Sequence, residues 1–508
     1  MQRFLDWLLT AVQTVNAYLS DYVLVILLIG VGLFYTIKTR FVQVRCFKQG
    51  MKKVFGDLKF SDDKHKHGMS SFQAFTTAVA AQVGTGNIVG ACGAILVGGP
   101  GAIFWMWIIA FLGMATIYSE AVLAQKTRKV LPDGSIQGGP VYYIREAFKG
   151  KFGKFLAGFF AVAIIIALGF IGSMVQSNSI ASAVTSVSES IPSWVKWVVG
   201  AFVAITAAII FIGGVKRIAS VTEKLVPIMA VIYLLGGVII ICCRITVVPE
   251  ALWMILKYAF TPSAIIGGGL GYALKTAVSM GAKRGLFSNE AGMGSTPHAH
   301  ALANVKTPHE QGVTAMIGVF FDTFVVLTMT ALIVITTLYA GGGGVAATSE
   351  SAIAAGASSD GVQNAVAAAG YNKNNLVQAG IASVFGGGNV GLTIGGVFVA
   401  VCLFFFAFST IIGWNLFGKI NFIYLFGKKS AVVYSILSVA FIFVGAGLKA
   451  DLVWECADLA NYLMVIPNVM ALFALSSLVV SELKENGKKS FKDTPNEAIG
   501  EGIKEETK

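Results

Sequence analysis

The sequence predicts an all-α polytopic membrane protein with eleven transmembrane helices. One extra N-terminal helix precedes two five-helix repeats of opposite orientation (a 5+5 inverted-repeat core), and the core helices are broken. Three observations predict this. Of the 508 residues, 56% are hydrophobic and 13% charged, with a mean hydropathy of +0.74, whereas a soluble domain carries about a quarter charged residues. Apolar runs of about 18 residues or more, long enough to cross a bilayer, recur along the whole chain without a polar face. Two of these runs, five spans apart, are interrupted by clustered glycines.

The runs and their breakers place the spans at about 22–38, 71–97, 101–124, 155–187, 193–213, 220–242, 263–282, 311–340, 391–418, 430–448 and 460–482. This divides the chain into an N-terminal helix with a basic loop (1–70), a first repeat (71–262), a second repeat (263–482) and a polar tail (483–508). Segment 341–390, rich in Gly, Ala, Ser and Asn, reads as a long loop with room for one short helix. The tail mixes both charges and reads as a disordered end.

Alternate loops, beginning with 38–70, hold 31 of the 38 lysines and arginines. Basic loops stay cytoplasmic, so the N-terminus is expected outside and the C-terminus inside, in a bacterial inner membrane. The same clustering explains the net charge of +12 without nucleic acid. Arg3 is followed by Asp6 and Asp21, which is not the pattern of a secretory leader. The six cysteines form no CxxC pair and read as reduced packing residues.

The second span is interrupted at Gly84-Thr85-Gly86-Asn87 and the seventh at Gly267-Gly268-Gly269-Leu270-Gly271. Each glycine weakens a helix by about 1 kcal/mol relative to alanine. Irregular backbone at membrane depth persists only inside protein or beside a cavity. Interrupted spans at corresponding places in two halves point to a transporter's binding site. Five is an odd number, so the second set of five enters the membrane from the opposite face. Close helix packing is the competing reading of the glycines, and it fits the second cluster better than the first. A break frees carbonyls at the end of one half-helix and N–H groups at the start of the next. Carbonyls suit a hard cation, and N–H groups suit a carboxylate.

Two long motifs carry a family resemblance. Val83-Gly84-Thr85-Gly86-Asn87 with Gly98-Gly99-Pro100-Gly101-Ala102-Ile103-Phe104-Trp105-Met106-Trp107 resembles one signature of the alanine/glycine:cation symporters. Gly285-Leu286-Phe287-Ser288-Asn289-Glu290-Ala291-Gly292-Met293-Gly294-Ser295, running to His298-Ala299-His300-Ala301, is similar to a second. The likeness covers about residues 20–485. It implies a leucine-transporter-type fold, sodium- or proton-coupled uptake, and small amino acids such as alanine and glycine as substrates. It further implies sodium coordination by the carbonyls of Ala80, Val83 and Phe406 and the hydroxyls of Ser409 and Thr410. Substrate contacts map onto Thr85, Gly86, Asn87, Gln176, Thr410 and Trp414, with Gln82, Asn178, Ser279 and Asp322 as further candidates. The expected partners are the amino acid and membrane lipid, and the expected unit is a monomer.

Several of these residues keep a second reading. Ser409 and Thr410 can bond back to the preceding helical turn. Trp414 can belong to an interfacial aromatic belt. Asp322 can join a second cation site, relay a proton, or pair with Lys275. Glu120 reads as structural. Ser288-Asn289-Glu290 has the pattern of a helix cap or a cytoplasmic gate. His298 and His300, two apart, make a poor metal pair. No catalytic signature is present, so an enzyme is not expected. The competing functions are a proton-coupled permease of the same fold and, in another class, an ion channel. The hydroxyl pair favours sodium over protons, and a single asymmetric chain offers no ring of carbonyls for a filter.

Overall fold

The computed structural model describes residues 2–56, 68–132, 134–188, 190–261, 266, 270–448 and 450–487. Among these, nine helices are long and apolar enough to cross a membrane: Leu9–Lys38, Ala102–Thr127, Gly150–Thr185, Val195–Ile212, Gly214–Cys243, Pro308–Leu338, Gly388–Phe426, Lys428–Gly447 and Val453–Ala474. A tenth is the pair Ser71–Gln82 and Gly86–Gly98, bent by 47° at its break. Where the remaining span, the seventh, was expected, at 263–282, stands the helix Leu270–Asn289. It carries Lys275, Lys283 and Arg284 and is not among the nine. Gly267, Gly268 and Gly269 of the expected second break lie outside the described residues, as does the tail from 488.

These helices are apolar on all sides because they meet two apolar environments. In Val195–Ile212 the exposed residues Val198, Phe202, Ile205, Ile209 and Ile212 recur every three or four positions, as one helical face does. Gly200, Val203, Ala204, Ala207 and Phe211 form the opposite, buried face. The exposed stripe suits lipid, and the buried one packs on Ala431–Gly447.

Segment 341–390 corrects the expected loop. It folds into three short helices, Gly344–Ala354, Ser359–Ala368 and Leu376–Val384. Apolar residues at helical spacing, diluted by alanine and glycine, were too sparse to register as spans. Val345, Val366, Leu376 and Ile381 are nonetheless buried in the common core.

Ser71–Gln82 starts from a capping box. Ser70 Oγ accepts from Gln73 N at 3.0 Å, and Gln73 Oε1 accepts from Ser70 N at 3.1 Å. Just before it, Met69–Ser70 pairs in parallel with Ala303–Asn304. Two side chains from the end of Ala102–Thr127 hold this ladder. Gln125 Nε2 donates to Ala303 O at 3.0 Å, and Arg128 donates to Ala301 O at 3.0 Å and Ala303 O at 2.6 Å.

Candidate functional site

The first break falls where the sequence places it. Ser71–Gln82 stops at Val83, whose backbone turns extended (φ −78°, ψ 92°), and helix resumes as a π turn at Gly86–Gly90. Gly84 is glycine for a steric reason: a Cβ there would collide with Thr410 Oγ1. A Cβ on Gly413 would lie 3.0 Å from that of Ala81. The helix Gly388–Phe426 therefore lies directly against the break.

A second unwound stretch faces the first, and it is not the glycine run at 267–271. Leu270–Asn289 ends at Asn289, and helix resumes only at Pro297–Ala301. Between them Glu290 is left-handed at φ 58°, as are Gly292 at φ 89° and Gly294 at φ 79°. This stretch is buried, so the second long motif is a broken helix inside the protein. It corrects the expected cytoplasmic loop and the expected cap at Ser288-Asn289-Glu290. Lys283 and Arg284, counted there as loop cations, are helical, and Arg284 pairs with Asp458 at 3.3 Å. Glu120 holds the stretch. Its carboxylate accepts from Gly292 N at 3.2 Å, Gly294 N at 3.0 Å and Asn468 Nδ2 at 2.6 Å.

The expected sodium ligands converge. Thr410 Oγ1 lies 3.0 Å from Ala80 O, 3.4 Å from Val83 O and 3.0 Å from Phe406 O. Ser409 Oγ lies 3.3 Å from Ala80 O and 2.8 Å from Phe406 O. Three carbonyls and two hydroxyls, all neutral oxygens, thus share one buried spot. The bonds to Phe406 are the back-bonds of an ordinary helical hydroxyl. Those to Ala80 and Val83 cross to the other helix, where the break has freed the carbonyls. A hydroxyl that turns its proton away offers the same spot a lone pair.

Beside these oxygens lies a group of incompletely paired polar atoms. Thr85 N donates to Gln176 Oε1 at 3.3 Å, while Thr85 Oγ1, Gln176 Nε2 and Gln82 Oε1 are buried without a hydrogen-bond partner. Buried polar groups are normally paired, so such a group marks a place where a ligand's polar atoms fit. Gly86 keeps its backbone open toward Phe287 and Ser288; an added Cβ would lie 3.1 Å from each. Trp414 is buried next to them, meeting Phe287 edge-on at 6.1 Å, and its indole N–H donates to Glu290 Oε1 at 2.5 Å. A Trp engaged in this way is not an interfacial belt residue.

Asn87 is placed differently from the simple substrate contact expected. Its Oδ1 accepts from Gly84 N at 2.9 Å, and its Nδ2 donates to Asp322 Oδ1 at 2.6 Å. Ser288 and Thr323 donate to the same carboxylate at 2.9 and 2.8 Å. Asp322 therefore links the two breaks and does not pair with Lys275, whose Nζ lies 3.4 Å from Tyr22 Oη. Asn178 is not at the site. It donates to Gly445 O at 3.0 Å and Leu448 O at 2.8 Å, fastening two helices. Ser279 lies beside a separate cleft with Val25 and Lys275. His298 and His300 have different partners, Asn421 and Gln311, as their spacing requires.

Phe287, Ser288, Glu290 and Thr323 were missed as site residues. The available signal was Gly292 and Gly294 closely following the polar Ser288-Asn289-Glu290, a mix of glycine and polar residues like that of the first break, but the neighbouring basic residues gave it the look of a loop.

Comparison with known proteins shows the family. The model of the sodium:alanine symporter family matches residues 5–498. The chain is 39% identical to the sodium/alanine symporter AgcS of Methanococcus maripaludis, over 93% of this chain and 96% of that one. It is 35% identical to the amino-acid carrier protein AlsT of Bacillus subtilis, over 92% and 91%. It is 36% identical to the probable sodium/glutamine symporter GlnT of Bacillus subtilis, over 97% and 93%. A chain with two facing breaks, a cluster of neutral oxygens and no enzymatic signature thus belongs to the sodium:alanine symporter family, whose transport is coupled to sodium.

Proposed function

We propose that this protein takes up small neutral amino acids, alanine and glycine among them, together with sodium, by alternating access. Sodium sits among the oxygens of Ala80, Val83, Phe406, Ser409 and Thr410 and holds the first broken helix against Gly388–Phe426. The amino acid's carboxylate docks on the N–H groups of Gly86 and Thr85, the latter exchanging Gln176 Oε1 for the carboxylate, where the helix dipole favours negative charge. Thr85 Oγ1, Gln176 Nε2 and Gln82 Oε1 supply the remaining polar contacts, and the side chain faces Trp414. The observation that carries this reading is the adjacency of the five-oxygen cluster to the unpaired atoms of one helix break.

Occupying one site organises the other, because both are built from the same interrupted turn. If sodium tightens substrate, substrate tightens sodium by the same factor. The two halves act as inverted repeats around this midpoint. The chain lies in the bacterial inner membrane with its N-terminus outside and works as a monomer. The test is labelled alanine and glycine uptake into proteoliposomes with sodium and proton gradients imposed separately. Uptake driven only by an inward sodium gradient is expected. Equal uptake on a proton gradient without sodium would return the case to a proton-coupled permease.

A further inference from the structure

We propose that Glu290 is a positioning residue that fixes the Trp414 indole and thereby sets the size of substrate side chain the site accepts. This rests on the reading of Trp414 as the wall of the substrate site.

The indole is held on several sides. Its N–H donates to Glu290 Oε1 at 2.5 Å. Phe287 meets it edge-on at 6.1 Å. Gly172 leaves room behind it: an added Cβ would lie 2.6 Å from Trp414 Cζ3. Of these contacts, the bond to Glu290 is the directional one. Without it the ring keeps its packing and loses what fixes its rotation.

The carboxylate is itself fixed. Its other oxygen accepts from the Ser295 hydroxyl. Its backbone is left-handed at φ 58°, a conformation that side-chain-bearing residues seldom adopt and that persists only where the surroundings enforce it. Glu290 N donates to Leu286 O at 2.9 Å, and Met293 N donates to Glu290 O at 3.1 Å, so both sides of the strained residue are tied. Among the described residues Glu290 forms no ion pair, although it is fully buried. A buried carboxylate without a cation is costly for folding, and a glutamine or an apolar residue would stabilise the fold more. Its value lies in what it orients.

The experiment measures competition by glycine, alanine and glutamine against labelled alanine uptake in proteoliposomes. Glycine has no side chain to meet the wall, so it serves as the internal reference. Glu290→Ala is expected to lower the ratio of glutamine to glycine inhibition constants by about threefold or more. Glu290→Gln keeps an oxygen for the indole N–H and is expected to hold the wild-type ratio. Trp414→Phe removes the N–H while Glu290 stays, so it is expected to relax the ratio as Glu290→Ala does. It also keeps the test open if Glu290→Ala does not fold. Glu290→Ala added to Trp414→Phe is expected to change nothing further. An unchanged ratio in both Trp414→Phe and Glu290→Ala, with Trp414→Ala shifting it, would overturn the role of Glu290 and leave Trp414 as the wall. An unchanged ratio in Trp414→Ala would overturn the wall itself, and the inference with it.

Discussion

Gln82 Nε2 donates to the carbonyl of Asn289 at 2.8 Å. One residue ends the first half-helix and the other ends its counterpart, so this bond joins the two interruptions directly. Asn289 O is a carbonyl that the unwinding after Asn289 would otherwise leave without a partner. Asp322 makes a parallel link through Asn87 and Ser288. The two breaks are one structure held by side-chain amides and a carboxylate.

Gln82→Leu should therefore destabilise the protein by about 1–3 kcal/mol, the cost of a buried carbonyl left unpaired. The check is the thermal unfolding midpoint of purified protein in detergent. A midpoint equal to wild type would show that this bond does not hold the breaks together.

Removing the hydroxyls should weaken sodium binding. Thr410 Oγ1 touches three of the carbonyls and Ser409 Oγ two. Thr410→Val should thus raise the sodium concentration for half-maximal alanine uptake more than Ser409→Ala does. A tenfold rise corresponds to about 1.4 kcal/mol. A sodium titration that superimposes on wild type removes the substituted residue from the ion's site.

Asn87→Ala takes away both the partner of Gly84 N and the link to Asp322. The break then loses its shape, and the KM for alanine should rise about tenfold or more. Thermal stabilisation by added alanine should fall in parallel. If alanine binds this variant as it binds wild type, the amino acid does not sit at the first break.

Gly172→Ala offers a steric probe. Its Cβ would press on Trp414 from behind and push the ring toward the substrate. Alanine should lose affinity by more than glycine does, by about 1–3 kcal/mol for an overpacked site. The KM ratio of the two amino acids in uptake assays reads this directly, and an equal loss for both would mean the ring does not border the side chain.

Much of the fold was legible because lipid imposes a simple rule: a span must be long and apolar. The first break was legible because Asn87 and Gln82 have no reason to lie in a membrane unless they have partners. The carbonyls of Ala80 and Val83 could be named because they come free where the first helix breaks, while Phe406, Ser409 and Thr410 were named from the family resemblance. Glycine density drew attention to 267–271, of which Gly267, Gly268 and Gly269 lie outside the described residues, and away from the unwound stretch between Asn289 and Pro297. What breaks the chain is Glu290, left-handed without being a glycine, and backbone angle leaves little trace in composition. Asn178 looked like a site residue because it is polar and mid-span, yet capping three carbonyls of a neighbouring helix end needs the same residue type. The roles of Glu290 and Asp322 depend on contacts more than 30 positions apart in the chain, which no local pattern records.

The short parallel ladder between Met69–Ser70 and Ala303–Asn304 has a mechanical consequence. It ties the start of the first interrupted span to the segment after the second break, beneath Arg128 and Gln125. Pulling those segments apart would strip the backbone pairing of the ladder, whose Met69 and Ala303 are buried. The two pinned ends are thus expected to shift as one unit, and spin labels placed on the two elements should keep their separation when sodium and alanine are added.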